Sequence, residues 1–319
     1  MIDLIGKRKY FFALSILIFI AGLVGYLING IELDIQFQGG TIIQMQMPDD
    51  NYDTDKAVTI VKNTINKKVT VQKSSTINVE KAGEKLYLMV LNIASEDTLN
   101  EEQRSAVKNA LMTEFNVSPD AEFTVNSIEP FIGNEIKTNA LYAIFWSSLL
   151  IILYVWWRFR VMNGLPAGII AVIALVHDVF VMLAVYILFR IPLNDSFVAA
   201  ILTVIGYSIN DTVVIYDRIR ENSKLMKKTA IAQLVNTSVI QTMDRSINTT
   251  ITVLLCIVTV FIFASVNNIQ SIKEFTFPLI IGLVSGVYST VFIASSLYVI
   301  WMEHKLKKKV AIRAAKSKA

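Results

Sequence analysis

SFVAAILTVIGYSINDTVVIY, Ser196 to Tyr216, holds a single charged side chain, Asp211, in a run that is otherwise apolar or small. At ~1.5 Å of helical rise per residue it is long enough to cross a hydrocarbon core of ~30 Å. A carboxylate inside such a span costs on the order of 2–3 kcal/mol on insertion scales, so Asp211 should face a helix bundle and have a partner or a proton. This reading makes the chain a membrane protein and its bundle interior the place to look for function.

Five more windows of the same kind flank it: Tyr10 to Ile31, Thr138 to Trp157, Val161 to Phe189 (interrupted only by His177 and Asp178), Ser246 to Ile272 and Phe275 to Met302. The first follows Lys7, Arg8 and Lys9 and lacks a small-residue cleavage site, so it reads as an uncleaved helix and not a signal peptide. Composition agrees: 54% of the 319 residues are hydrophobic and only 18% charged, against about a quarter in soluble domains. The lone Cys256 excludes an internal disulfide.

Charge sets the expected orientation. With the N-terminus inside, the inner segments carry eighteen cations, including Arg158, Arg160, Arg218, Arg220, Arg245 and a run from Lys305 to Lys318, while the short outer loops carry only Arg190 and Lys273. By the positive-inside rule both termini are cytoplasmic. The division expected is residues 1–30 for the basic start and first helix, 31–137 for an extracytoplasmic domain, 138–302 for helices two to six with a cytoplasmic loop at 217–245, and 303–319 for a basic tail that reads first as a plain topological signal and otherwise as a site for lipid headgroups or an acidic partner.

The outer region holds seventeen acids against ten bases. Its pattern reads strand, helix, strand, strand, helix, strand. Thr41 to Met47 alternates; Asp53 caps a helix to about Asn66; Val69–Val79 and Lys85–Ile93 form a hairpin about Gly83. Ser95, Thr98 and Glu101 open a second helix, with Leu99, Val107, Leu111 and Phe115 on one face, and Ala121 to Ile128 closes the order. That order predicts a ferredoxin-like α+β sandwich. It contains no metal-ligand cluster, nucleophile–base pair or phosphate loop and reads as a binding module. Gly39 and Gly40, in FQGGT, lead into a strand and not a helix, so they read as a tight turn and not a phosphate cradle.

Arg245 opens the fifth window at a depth similar to that of Asp211 across an antiparallel pair. A guanidinium beside a carboxylate favours its charged form, and separation favours the proton, which is the alternation a proton carrier needs. A static ion pair is the plainer alternative. Asp178 is a candidate second carboxylate. His177 points about 100° away from it and reads as a buried ring satisfied by a backbone or hydroxyl partner. Thr203, Tyr207, Asn210 and Asp211 offer a face to Arg245, Asn248 or Thr249, and Thr252; the threonines read as packing glue between helices. Gly282 and Gly286 form a GxxxG close-packing signal.

The stretch GYSINDTVVIYDRIREN, Gly206 to Asn222, closely resembles the fourth-helix signature of the SecD/SecF family of protein-export membrane proteins. FQGGT and VHDV, Val176 to Val179, fit the same family, as does the six-span plan with one outer domain. Gln36 stands where the family often has an acid, and Gln38 where threonine is common. The resemblance implies a resistance–nodulation–division type half bundle in a bacterial plasma membrane, without enzymatic activity or cofactor. It implies a SecD subunit as the other half, the SecYEG channel, YajC and the membrane insertase as neighbours, and a translocating preprotein as the load. Nucleic acid is not among the partners. Proton or sodium motive force would drive the cycle, with Asp211, Arg245 and Asp178 as relay residues, Tyr207, Asn210 and Thr249 in support, and Gly39, Gly40 and Gly206 structural. A half-size exporter of a small molecule or lipid, and a non-transporting scaffold with static buried charges, are the alternatives.

Overall fold

The computed structural model describes residues 3–77, 85–94, 99–118, 121–128, 130–160 and 164–316. Six helical segments among them are long and apolar enough to span a membrane. They are α1 (Arg8–Asn29), α5 (Pro130–Arg158), α6 (Gly164–Phe189), α7 (Asp195–Leu225), α8 (Ile231–Val266), and a last span built of α9 (Gln270–Tyr288), a π-helical turn (Ser289–Ala294) and α10 (Ser295–Lys316). The start of the third window, residues 161–163, lies outside the described residues.

The windows of α6, α7 and the last span are the most buried, whereas α1, α5 and α8 turn most of their surface outward. Leu17, Phe145, Leu150, Trp157, Leu255 and Ile262 are exposed large hydrophobics on that surface. In water such a surface would be costly; against lipid tails it is matched. The stretch 217–245, read from sequence as a loop, is mostly helix. α7 continues to Leu225 and α8 begins at Ile231 with Leu234, Val235 and Val239 buried. Polar residues end a membrane window but not an amphipathic helix, which is why hydropathy stopped early at both ends. The hairpin expected near Asn267 is present: Asn268 takes φ +52°, and α9 starts at Gln270.

Between α1 and α5 lies the α+β domain. Its elements are β1 (Gly40–Met47), α3 (Thr54–Ile65), β2 (Lys68–Ile77), β3 (Lys85–Ala94), α4 (Glu101–Glu114) and β4 (Phe123–Ile128). The antiparallel strand order β2-β3-β1-β4 is that of the ferredoxin-like fold. Asp53 caps α3 by accepting from the amides of Asp55 and Lys56, and Asn66 closes it in the left-handed region. Asn100 caps α4, in a reciprocal capping box with Gln103. Ser95, Thr98 and the Gly83 turn lie outside the described residues. Ile43, Met45, Met89, Leu91 and Ile93 from the sheet meet Ala57, Val61, Val107 and Leu111 from the helices in a closed core.

The domain is strapped to the bundle at two places. Leu33 forms a parallel β-bridge with Leu193, with Asp34 N donating to Leu193 O and Leu193 N to Glu32 O, both at 2.9 Å. At the other, Ser75 Oγ donates to Asn267 O at 2.5 Å and Asn268 Nδ2 to Asp50 Oδ2 at 3.3 Å. FQGGT does form a turn: a one-turn helix, α2 (Ile35–Gln38), capped by Asp34, ends on Gly39 (φ +82°) and Gly40 (φ +145°). A Cβ on Gly40 would lie 2.3 Å from Ile93 O, so both conformation and space demand glycine there.

Candidate functional site

α6 carries Asp178 into the centre of the bundle, where it is 1% exposed. Three serine hydroxyls donate to it: Ser285 to Oδ1 at 2.7 Å, and Ser208 and Ser289 to Oδ2 at 3.0 and 2.9 Å. They come from α7, α9 and the π-helical turn, so this single carboxylate ties α6 to two other spans. His177 completes the set, with Nδ1 3.3 Å from Asp178 Oδ1 and Nε2 2.9 Å from Ser15 Oγ on α1. A neutral ring protonated on Nδ1 satisfies both contacts: it donates to Asp178 and accepts from Ser15. The hydroxyl partner expected for His177 is therefore Ser15.

The serines were not singled out from sequence. Their signal lay in register: Ser285 and Ser289 are one turn apart and interleave with Gly282 and Gly286. Those glycines bring α9 against α7. A Cβ on Gly282 would stand 2.3 Å from Val204 Cγ2, and one on Gly286 3.2 Å from Ser208 Cβ. Close backbone approach is what lets so short a side chain as serine reach the carboxylate.

Asp211 lies one turn beyond Ser208 on α7 and is 4% exposed, facing the bundle. Its situation is opposite to that of Asp178. Arg245 and Ser246 of α8 are the polar neighbours whose fields act on it. Yet Asp211 Oδ2 and Ser246 Oγ are both buried with no hydrogen-bond partner among the described residues. Arg245 is exposed and no ion pair joins it to Asp211 among the described residues. The direct contact anticipated from helix depth is thus not made in this chain alone. Antiparallel placement sets depth, whereas rotation about the helix axis decides facing, and depth alone does not fix it.

Rotation also sorts the supporting residues. Tyr207 OH lies 3.2 Å from Thr250 Oγ1, not Thr249. Thr249, Thr252 and Thr259 donate to carbonyls of their own helix, four residues back, so among the described residues they do not glue α8 to a neighbour. Thr203, Gly206 and Asn210 of α7 are exposed, and nothing lies within 4 Å of a Cβ built on Gly206. With Arg245, Asn248, Thr249 and Thr252, also exposed, they put small and polar side chains on the outer surface of α7 and α8, alongside exposed Ile247 and Ile251. At the basic end, Arg158 pairs with Asp217 at 2.7 Å and Asn222 donates to Ser238 and Gln241, fastening α7 to α5 and α8.

Six spans around two buried carboxylates, with one ferredoxin-like domain after the first span, define a multi-pass membrane protein of the transporter-like class. The family model described as protein export membrane protein SecD/SecF, C-terminal, matches residues 107–304. The protein translocase subunit SecF of Alicyclobacillus acidocaldarius is 36% identical over 316 residues, covering 96% of this chain and 94% of that one. SecDF of Bacillus subtilis is 34% identical over 309 residues, covering 96% of this chain but 39% of that one. The crystal structure of a Thermus SecDF, a translocon-associated membrane protein, superposes with a TM-score of 0.77 at 26% identity, covering 95% of this chain and 39% of that chain. The chain therefore spans nearly the full length of that SecF relative and about two fifths of the SecDF chains. It belongs to the SecD/SecF family of protein-export membrane proteins, on the SecF side, and its role is in protein export.

Proposed function

We propose that this chain is one half of a two-part ion-driven device that promotes preprotein movement through the SecYEG channel, with a SecD-type subunit as the other half. The single observation that carries the reading is the buried Oδ2 of Asp211, without a direct hydrogen bond among the described residues, beside an outward-facing Arg245. A carboxylate left unsatisfied in a low-dielectric bundle is a high-energy group that takes up a proton or a counter-charge readily. The exposed small and polar side chains of α7 and α8 support a partner bundle covering them, and the SecDF relatives, which hold more chain than this one, support a SecD-type occupant. In the assembled pair, protonation of Asp211 by the proton motive force (or its neutralisation by sodium) changes the hold of the carboxylate on Arg245 across that seam. The helices shift, and the domain strapped to them moves on the preprotein. Asp178, with its donors in place, is the fixed end of the relay. The basic clusters support a reading with both termini in the cytoplasm and the domain outside.

Asp211→Asn is the test, because it keeps shape and removes titration. The variant should accumulate to normal levels and retain its partner, while export that depends on the ion gradient is lost in inverted vesicles. Gradient-dependent export at the normal rate would refute the relay.

A further inference from the structure

A second site lies at the basic end of the bundle, away from both carboxylates. α6 and α10 leave between them a cleft of about 460 Å³ of water-accessible space, lined by Ile170, Ile173, Leu297, Ile300, Trp301, His304, Lys305 and Lys308. That volume lies within the range of small-ligand sites. The lining is divided. Ile170 is buried at the floor, while Ile173, Ile300 and Trp301 are 45%, 40% and 42% exposed along walls that open to the bilayer. The three basic side chains follow at the mouth, where α10 leaves its apolar segment. Positions 297, 300, 301, 304, 305 and 308 fall on one helical stripe, so the change from apolar to basic runs along one groove. Among the described residues no acid lines it. Glu303 is directed elsewhere, 4.0 Å from Arg8.

We infer that this cleft binds one anionic diacyl phospholipid, with acyl chain along the isoleucines and Trp301 and headgroup phosphate at His304, Lys305 and Lys308. Hydrocarbon and phosphate must be met by one groove in that order of depth, and this groove meets them. Basic pockets between spans at a cytoplasmic face are the recurring form of such sites, and tryptophan belongs at the same interfacial level. An acidic polypeptide would use the cations but leave the apolar walls uncovered. The inference rests on the membrane placement of α6 and α10 and not on the proposed ion relay, so the two stand or fall separately.

The chain has four tryptophans, and the test uses one. A variant with Trp146, Trp156 and Trp157 changed to Phe reports Trp301 alone. It is reconstituted as the full chain with dibrominated phosphatidylglycerol or dibrominated phosphatidylcholine as the quencher. Two lysines near a phosphate at about 1 kcal/mol each correspond to a preference of roughly tenfold or more for the anionic lipid. Lys305→Gln with Lys308→Gln should abolish that preference, while Lys307→Gln, outside the cleft lining, should leave it. Equal quenching by the two lipids overturns the site, as does a Lys307→Gln effect equal to that of the double variant. Relief of quenching by a soluble acidic peptide also overturns it, in favour of a polypeptide occupant. Should the tryptophan variant fail to fold, native mass spectrometry of the unmodified chain decides: it should retain one more phosphatidylglycerol than the double lysine variant.

Discussion

Asp178 and Asp211 are carboxylates in the same bundle, and their surroundings give them different work. Asp178 accepts from three hydroxyls and faces His177, so removing one donor leaves a buried carboxyl oxygen short of a bond at a cost of about 1–3 kcal/mol. Ser285→Ala should lower the thermal midpoint in detergent, whereas Ser246→Ala, whose hydroxyl makes no direct hydrogen bond among the described residues and touches Asp211 only through its field, should shift it much less. Equal shifts would contradict the division of labour. Sequence alone marked both acids, since a charge in an apolar window is conspicuous; it did not mark the serines, which are ordinary in any helix until register brings them together. Outside the membrane spans, Asp34 offers a pH test. Burial, with Asp195 adding to it, holds its carboxyl above the ordinary 3.8, against the opposing bonds from the amides of Gln36 and Ile35. The folded state therefore binds this proton more tightly than the unfolded chain, and the docking of α2 loses stability as pH rises from the ordinary value through the raised one. Asp34→Asn keeps the cap and removes the titration. Hydrogen exchange at Phe37 and Gly39, corrected for intrinsic rates, should then lose its pH dependence; an unchanged slope would reject Asp34 as its source.

At the level of elements, α7 and α9 meet over glycines, and the two glycines are not equivalent. Alanine at 282 needs Val204 to give way by most of an ångström, while alanine at 286 meets Ser208 at a separation that a small adjustment relieves. Gly282→Ala should therefore destabilise by about 1–3 kcal/mol, the usual cost of overpacking, and Gly286→Ala by less. Adding Val204→Ala to Gly282→Ala should restore part of the loss, a coupling that a double-mutant cycle on thermal midpoints measures directly. The GxxxG spacing advertised this contact without saying which glycine is the tighter. Periodicity likewise revealed the four strands and two longer helices of the soluble domain by type, though not the one-turn helix α2, which is too short to show a period. It did not reveal the π-helical turn at Ser289–Ala294, because a one-residue change in hydrogen-bond register leaves an apolar run looking the same.

For the whole molecule the decisive relation is between domain and bundle. Linear sequence says nothing of it, because the contacts join backbone at 33 and 193 and side chains near 50, 75 and 267. The bridge at Leu33 and Leu193 sits between the emergence of α1 and the start of α7, the helix that bears Asp211, and the Gln36 side chain caps that start by accepting from Asp195 N at 3.1 Å. Displacement of α7 along its axis must therefore either carry the domain with it or break this strap. The two possibilities separate under a cross-link. Bridged neighbours lie about 4.7–4.9 Å apart, within the roughly 4.4–6.8 Å that a disulfide spans between Cα atoms. Leu33→Cys with Leu193→Cys, in a Cys256→Ser background so that no other thiol competes, should oxidise readily. If the strap opens during each cycle, oxidation should stop gradient-dependent export in inverted vesicles and reductant should restore it. If the domain rides on α7 as one body, the oxidised protein should export at the reduced rate. The continuous pairing on both sides of Leu193 favours the second outcome, since opening the strap exposes two backbone bonds in a crowded junction. We therefore expect export to survive the cross-link, with the domain moving as an extension of α7.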